Sequence, residues 1–238
     1  MNSSNWTSRA RIVGPLGDRF GTVLIITLLP VPLVSLLYAV HSIATGTPPD
    51  AYSMPSGYLF YGIVNLGVVA LLYVLLTPSQ RREVFVFKRP SLVEIGAAIT
   101  AFVLGLGVIQ LTNRVSLFLG YELQGLSYSL GNSTAFVAIL LGAVILAPVT
   151  EEILYRGLVL GALVSRGFGP VSATLLMTGL FAVIHLPNFG VAGTIFISVW
   201  GVLPAVLRLR YDNLTTPILM HGLNNFFAYV IVIWAGWA

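Results

Sequence analysis

Long apolar stretches separated by short polar gaps run through most of this chain. Seven such stretches cover residues 22–40, 56–77, 93–111, 134–165, 170–186, 190–207 and 213–234. A membrane-spanning helix needs about 20 consecutive and mostly apolar residues. The pattern therefore predicts an all-α, polytopic transmembrane helical bundle with about seven spanning helices, or eight if one of the stretches divides.

Two parts of this pattern depart from a simple array of straight helices. The stretch 134–165 is too long for one straight span, and Pro148 lies inside it. Proline has no backbone N–H and its ring clashes with the preceding turn, so we expect a kink there. The gap at 112–133 is polar and amphipathic, and we expect it to form a helix that lies flat at the membrane interface.

The composition supports a membrane protein and excludes several other classes. Hydrophobic residues make up 57% of the 238 residues and charged residues only 8%, whereas soluble domains carry roughly 25% charged residues. The net charge of +4 is spread over short polar gaps, so the sequence predicts no nucleic-acid partner. The absence of cysteine excludes disulfides, thiolate nucleophiles and cysteine-based zinc sites.

The basic residues predict the orientation, because Lys and Arg concentrate in the cytoplasmic loops of membrane proteins. A cytoplasmic N-terminus and seven spans would place ten of the twelve basic residues on the cytoplasmic side. These ten are Arg9, Arg11, Arg19, Arg81, Arg82, Lys88, Arg89, Arg166, Arg208 and Arg210. We therefore expect a multi-pass integral protein of the cell membrane, in contact with the lipid bilayer, whose N-terminus is cytoplasmic.

The second half of the chain holds nearly all of the ionisable residues that fall inside apolar stretches. They are Glu151, Glu152, Arg156, His185 and His221. Charged side chains within a membrane are costly and usually face a cavity or a partner. We therefore divide one integral membrane domain into N-terminal helices and loops at 1–133 and a membrane core at 134–238 that contains these residues.

Helical spacing predicts how these side chains are arranged, since residues four apart share a face. Glu152 then faces Arg156 and forms an ion pair with it. Glu151 points about 100° away around the helix, where it is free to hold and deprotonate a water molecule.

The later helices add two imidazoles and an amide. Phe181 lies one turn from His185, and His221 lies one turn from Asn225. These groups lie at similar depths, so we expect them to meet Glu151 in one pocket. There they would orient the water, donate to a developing oxyanion, or bind a metal.

Three motifs now stand in order on separate apolar stretches: EExxxR at 151–156, FxxxH at 181–185 and HxxxN at 221–225. Together they resemble the CPBP (CAAX protease and bacteriocin-processing, Abi) family of intramembrane proteases, which includes the type II CAAX prenyl proteases. The resemblance covers about residues 134–232. It implies an endopeptidase in which Glu151 activates water with the help of His185, while His221 and Asn225 form the oxyanion site. Glu152, Arg156 and Phe181 would support these groups, and the partner would be a peptide or membrane-proximal protein substrate.

The sequence leaves two matters open. Glu151, His185 and His221 would also suit a zinc ion, so the enzyme is either a metalloprotease or a metal-free glutamate peptidase. A non-catalytic immunity or scaffold protein, in which the polar cluster only packs helices, is the main alternative function. A proton-coupled transporter is a further one, although the chain lacks the inverted repeats common in such folds. The sequence predicts neither the substrate, prenylated or not, nor the oligomeric state.

Overall fold

The described chain consists of helices and the loops between them. The computed structural model describes residues 20–48 and 51–237, in which no β-strand occurs. The helices are α1 (Phe20–Leu28), α2 (Pro30–Thr45), α3 (Met54–Leu75), α4 (Pro78–Val84), α5 (Leu92–Phe118), α6 (Ser133–Ser165), α7 (Pro170–Val183), α8 (Leu186–Trp200), α9 (Val202–Tyr211) and α10 (Thr215–Trp234). The predicted all-α class is thus confirmed.

Five helices in the described residues are long and apolar enough to cross a membrane: α3, α5, α6, α10 and the continuous pair α8 and α9. Helices α1 and α2 count as a sixth if they are taken as one span bent by 41°. Helix α7 has only 14 residues and is shorter than a span. The protein is therefore an integral multi-pass membrane protein, but the predicted seven or eight spans are not confirmed.

Helix α6 carries both glutamates and is irregular in two places. Its backbone is π-helical at Leu140–Leu146 and at Glu152–Val159, and the N–H of Ala147 bonds to the carbonyl of Gly142, five residues back. Pro148, which has no N–H to donate, lies two residues after the end of the first π-helical segment. The distortion expected at Pro148 is thus a change of helical register within a continuous helix of 33 residues.

The interfacial helix expected at 112–133 is not present. Residues 112–118 continue α5, and residues 121–132 form no helix. Gly120 has a φ of 83°, and the N–H of Tyr121 bonds back to the carbonyl of Ser116 at 2.8 Å. A left-handed glycine with such a bond is a common helix end, so Gly120 stops α5 and leads into an irregular loop.

The loop that follows α4 and the loop that precedes α10 contact each other at one end of the bundle. Lys88 Nζ lies 3.6 Å from Asp212 Oδ2, and the N–H of Leu214 bonds to the carbonyl of Val86 at 2.7 Å. Several of the basic residues assigned to the cytoplasm lie in or beside these loops. Arg9, Arg11 and Arg19 lie outside the described residues, so the cytoplasmic N-terminus stays a prediction, as does the division at residue 133.

Helices α3 and α6 cross at two glycines. A Cβ on Gly142 would lie 2.5 Å from backbone atoms of Tyr58 and Leu59, and a Cβ on Gly62 would lie 2.9 Å from the Cβ of Leu146. Both contacts are too short for a side chain. The crossing therefore needs glycine, and it holds the first half of the chain against the helix that carries the glutamates.

We expect Gly142→Ala to destabilise the protein by about 1–3 kcal/mol or more, because the added methyl overlaps backbone that cannot move independently. Gly67→Ala is the matched control, since nothing lies within 4 Å of its Cβ position and alanine favours the helix by about 1 kcal/mol. Thermal unfolding of the two purified variants checks the prediction. Equal unfolding midpoints would contradict it.

Candidate active site

Glu152 lies at the centre of a buried ionic network. Its side chain is inaccessible to solvent, and its Oε1 accepts a hydrogen bond from Arg156 Nη1 at 3.0 Å. The same oxygen lies 2.8 Å from His221 Nδ1. Because an ionised carboxylate only accepts, Nδ1 carries a hydrogen and donates it. The predicted ion pair is present, and Glu152 in addition fixes the orientation of the His221 ring.

Glu151 faces the other nitrogen of the same imidazole. Its Oε2 lies 3.8 Å from His221 Nε2, and the residue is only 4% exposed. This distance is too long for a direct hydrogen bond, but one water molecule can bridge two groups so placed. Adjacent glutamates thus contact opposite edges of one ring, and Glu151 is turned into the protein.

Arg156 joins three helices at the side of this cluster. Its Nη2 donates to the carbonyl of Gly201 at 2.9 Å, at the junction of α8 and α9. Its guanidinium carbon lies 4.6 Å from the ring centroid of Phe181 on α7. The whole side chain is buried. Arg156 therefore holds Glu152 and the surrounding helices in a fixed arrangement.

Phe181 connects the two imidazoles. Its ring centroid lies 4.6 Å from that of His185 and 6.4 Å from that of His221. His185 Nδ1 lies 2.6 Å from the carbonyl of Phe181, so this nitrogen carries a hydrogen and Nε2 is left for other partners. Among the described residues, His185 makes no direct hydrogen bond to Glu151 and reaches the cluster through Phe181.

Asn225 lies one turn beyond His221 on α10. Its Nδ2 donates to the carbonyl of Ala143 at 2.8 Å, inside the first π-helical segment of α6. A carboxamide has two N–H hydrogens, so one is used in this contact between helices. The second remains for another acceptor.

Sequence reasoning missed the aromatic lining of the site. The Trp200 ring centroid lies 4.9 Å from that of His221, and its buried Nε1 has no hydrogen-bond partner. Gly105 on α5 makes room for it, because a Cβ there would lie 3.1 Å from Trp200. A tryptophan within an apolar stretch carries no distinguishing signal, and only the packing reveals it. Helix α5, from the first half of the chain, thus packs against the site.

The predicted zinc ligands do not converge in this arrangement. Catalytic zinc sites use three protein ligands around one point, and within the described residues no group of three His, Asp or Glu side chains could hold a metal ion. Both histidines use Nδ1 in contacts with protein oxygens. Metal dependence therefore stays a prediction.

Comparison with known proteins gives one finding. Residues 133–227 match the family described as "Type II CAAX prenyl endopeptidase Rce1-like". Comparison with curated proteins gave no match, and comparison with solved structures gave none either. The matched segment begins with α6 and contains all three motifs. Residues 133–227 are therefore similar to the Rce1-like type II CAAX prenyl endopeptidases, in agreement with the resemblance that the motifs indicated.

Proposed function

We propose that this protein is an intramembrane endopeptidase in which Glu151 activates the water that hydrolyses a peptide bond. One observation carries the proposal: Glu151 lies 3.8 Å from His221 Nε2 while Glu152, paired with Arg156, holds the opposite side of the same ring. Glu152 therefore has a structural role. Glu151 can bind a water molecule and accept a proton from it as a general base.

The proposed reaction begins with a water molecule between Glu151 and His221. Glu151 accepts a proton as the water oxygen attacks the carbonyl carbon of the substrate, and the carbonyl oxygen becomes an oxyanion. A His221 imidazolium, stabilised by Glu152, donates from Nε2 to this oxyanion, and the second N–H of Asn225 adds another donor. Glu151 then returns the proton to the leaving nitrogen as the C–N bond breaks, giving a carboxylic acid and an amine. The acid passes the second water proton to the amine, so the products are a carboxylate and an ammonium group.

His185 is the remaining site residue, and we propose that its free Nε2 helps to orient the attacking water. The family match supports a protease and a peptide substrate. It gives no support to a non-catalytic immunity or scaffold protein. The name of the matched family refers to prenyl groups, so the peptide library includes prenylated and unprenylated members.

A peptide library tests the proposal. The purified full-length protein in detergent micelles is incubated with prenylated and unprenylated peptides, and products are identified by mass spectrometry. We expect cleavage at one or a few defined bonds. Folded protein that cleaves none of the peptides would contradict the proposal.

The same assay with a chelator tests metal dependence. Activity that survives chelation supports the metal-free glutamate route. Activity that is lost and then restored by zinc supports the alternative, in which Glu151, His185 and His221 rearrange to bind the ion.

A further inference from the structure

Residues 126–130 have the side-chain alternation of a β-strand although they pair with no other strand. Leu126, Tyr128 and Leu130 are half-buried and pack on the small hydrophobic cluster that contains Ile139, Ala143, Tyr229 and Val230. The intervening Ser127 and Ser129 are exposed. A period of two is the periodicity of extended chain and not of a helix.

The main chain of this segment is also unpaired, and it bends only at its last residue, Leu130. No residue from 121 to 129 forms a turn or a bend. Within the described residues, no backbone N–H or carbonyl of residues 122–130 makes a hydrogen bond to protein. Such a row of free donors and acceptors is what an added strand would pair with.

Two contacts place the segment beside the proposed active site. The Tyr128 hydroxyl donates to the carbonyl of Tyr229 at 2.6 Å, and Tyr229 lies one turn after Asn225 on α10. The Gln124 amide lies against Gly190, where a Cβ would be 3.2 Å from its Nε2, and Gly190 follows His185 by five residues. The loop therefore runs between the helices that carry two of the site residues.

The Tyr128 contact is a stable anchor. Burial raises the pKa of the Tyr128 hydroxyl, so it stays protonated and donates throughout the neutral range. The Tyr58 hydroxyl donates to the Tyr229 hydroxyl at 3.2 Å, and the rings of Tyr58 and Tyr229 pack edge to face. The strand is thus fixed to helices of both halves of the chain.

We propose that residues 126–130 form a substrate-binding strand, to which the substrate peptide adds in an extended conformation through main-chain hydrogen bonds. This inference rests on the proposed function, because the occupant is the peptide to be cleaved. Strand addition gives affinity with little dependence on side chains. It also holds the chain extended, with its peptide bonds accessible to an attacking water.

Backbone N-methylation of the substrate tests the pairing directly. The probe is a fluorescently labelled library peptide, chosen by its affinity for the Glu151→Gln variant, with single N-methyl groups moved along it. Binding is measured to the same variant so that no turnover occurs. In a paired strand, alternate N–H groups point toward the partner. We expect Kd to rise by roughly two- to tenfold at every second residue and to change little between them. Effects without alternation would overturn the proposal.

The two proposals fail in different ways. If wild-type protein cleaves the peptide but N-methylation shows no alternation, strand addition is wrong and the hydrolase stands. If alternation is found but wild-type protein cleaves nothing, the binding strand stands and the proposed catalysis is wrong.

A variant of the anchor gives an independent check. Tyr128→Phe removes only the hydroxyl, so we expect KM to rise severalfold while kcat is unchanged. Tyr121→Phe is the matched control, because Tyr121 lies on the same loop outside the strand, is exposed, and its hydroxyl makes no hydrogen bond to described residues. Equal KM values for the two variants would contradict the role of the anchor.

Discussion

Replacing Glu151 with glutamine is expected to lower kcat for peptide hydrolysis by about 10²- to 10⁴-fold, the usual contribution of a general base. Glutamine has nearly the same shape but cannot take a proton from water. Glu151 is separated from His221 Nε2 by 3.8 Å, so the substitution removes no short ion pair. We therefore expect the folded structure to be retained. Initial rates on the library peptide, normalised to folded protein, measure the effect.

Glu83→Gln is the control for this substitution. Glu83 lies on α4, outside the cluster, and the contact described for it is made by its backbone carbonyl with Arg208. Its replacement should leave kcat at the wild-type value. A Glu151→Gln protein that cleaves as fast as the Glu83→Gln protein would contradict the proposed role of Glu151.

Replacing Arg156 with methionine is expected to destabilise the protein by about 3–5 kcal/mol, the usual cost of removing one partner from a buried ion pair. The substitution leaves the buried carboxylate of Glu152 with His221 as its remaining hydrogen-bond partner among the described residues, and the carbonyl of Gly201 loses its donor. The free energy of unfolding can be measured by titrating mixed micelles with a denaturing detergent.

Two further variants test whether the loss of stability comes from the buried ion pair. Lys88→Met breaks a half-exposed pair with Asp212, and exposed pairs contribute only about 0–1 kcal/mol. The double variant Glu152→Gln with Arg156→Met removes both charges, so it should be more stable than Arg156→Met alone. Equal stability of the Lys88→Met and Arg156→Met proteins would contradict the account.

Local features of the site could be predicted from the sequence because they depend on helical spacing alone. Glu152 and Arg156 are four residues apart on one helix, and their ion pair follows from that spacing. The contact between Glu152 and His221 joins residues 69 positions apart, and no periodicity encodes it. The contact between Arg156 and Gly201 is likewise set by the packing of whole helices.

For the fold as well, some features could be predicted from the sequence and others could not. Each apolar stretch is helical, but hydropathy does not show that α7 ends after 14 residues, so the predicted seven or eight spans are not confirmed within the described residues. In the loop at 121–132, amphipathic composition suggested a helix. The alternation over residues 126–130 is only five residues long, and it becomes informative once the burial of Leu126, Tyr128 and Leu130 is known.

The central claim is that two neighbouring glutamates have separate roles, with Glu151 in catalysis and Glu152 in structure. Its most direct test measures kcat and the unfolding midpoint for Glu151→Gln and Glu152→Gln on the same peptide. The account predicts a crossed result, in which Glu151→Gln has the lower kcat per folded molecule and Glu152→Gln the lower midpoint. A Glu151→Gln protein with wild-type kcat, or the two effects exchanged between the glutamates, would contradict it.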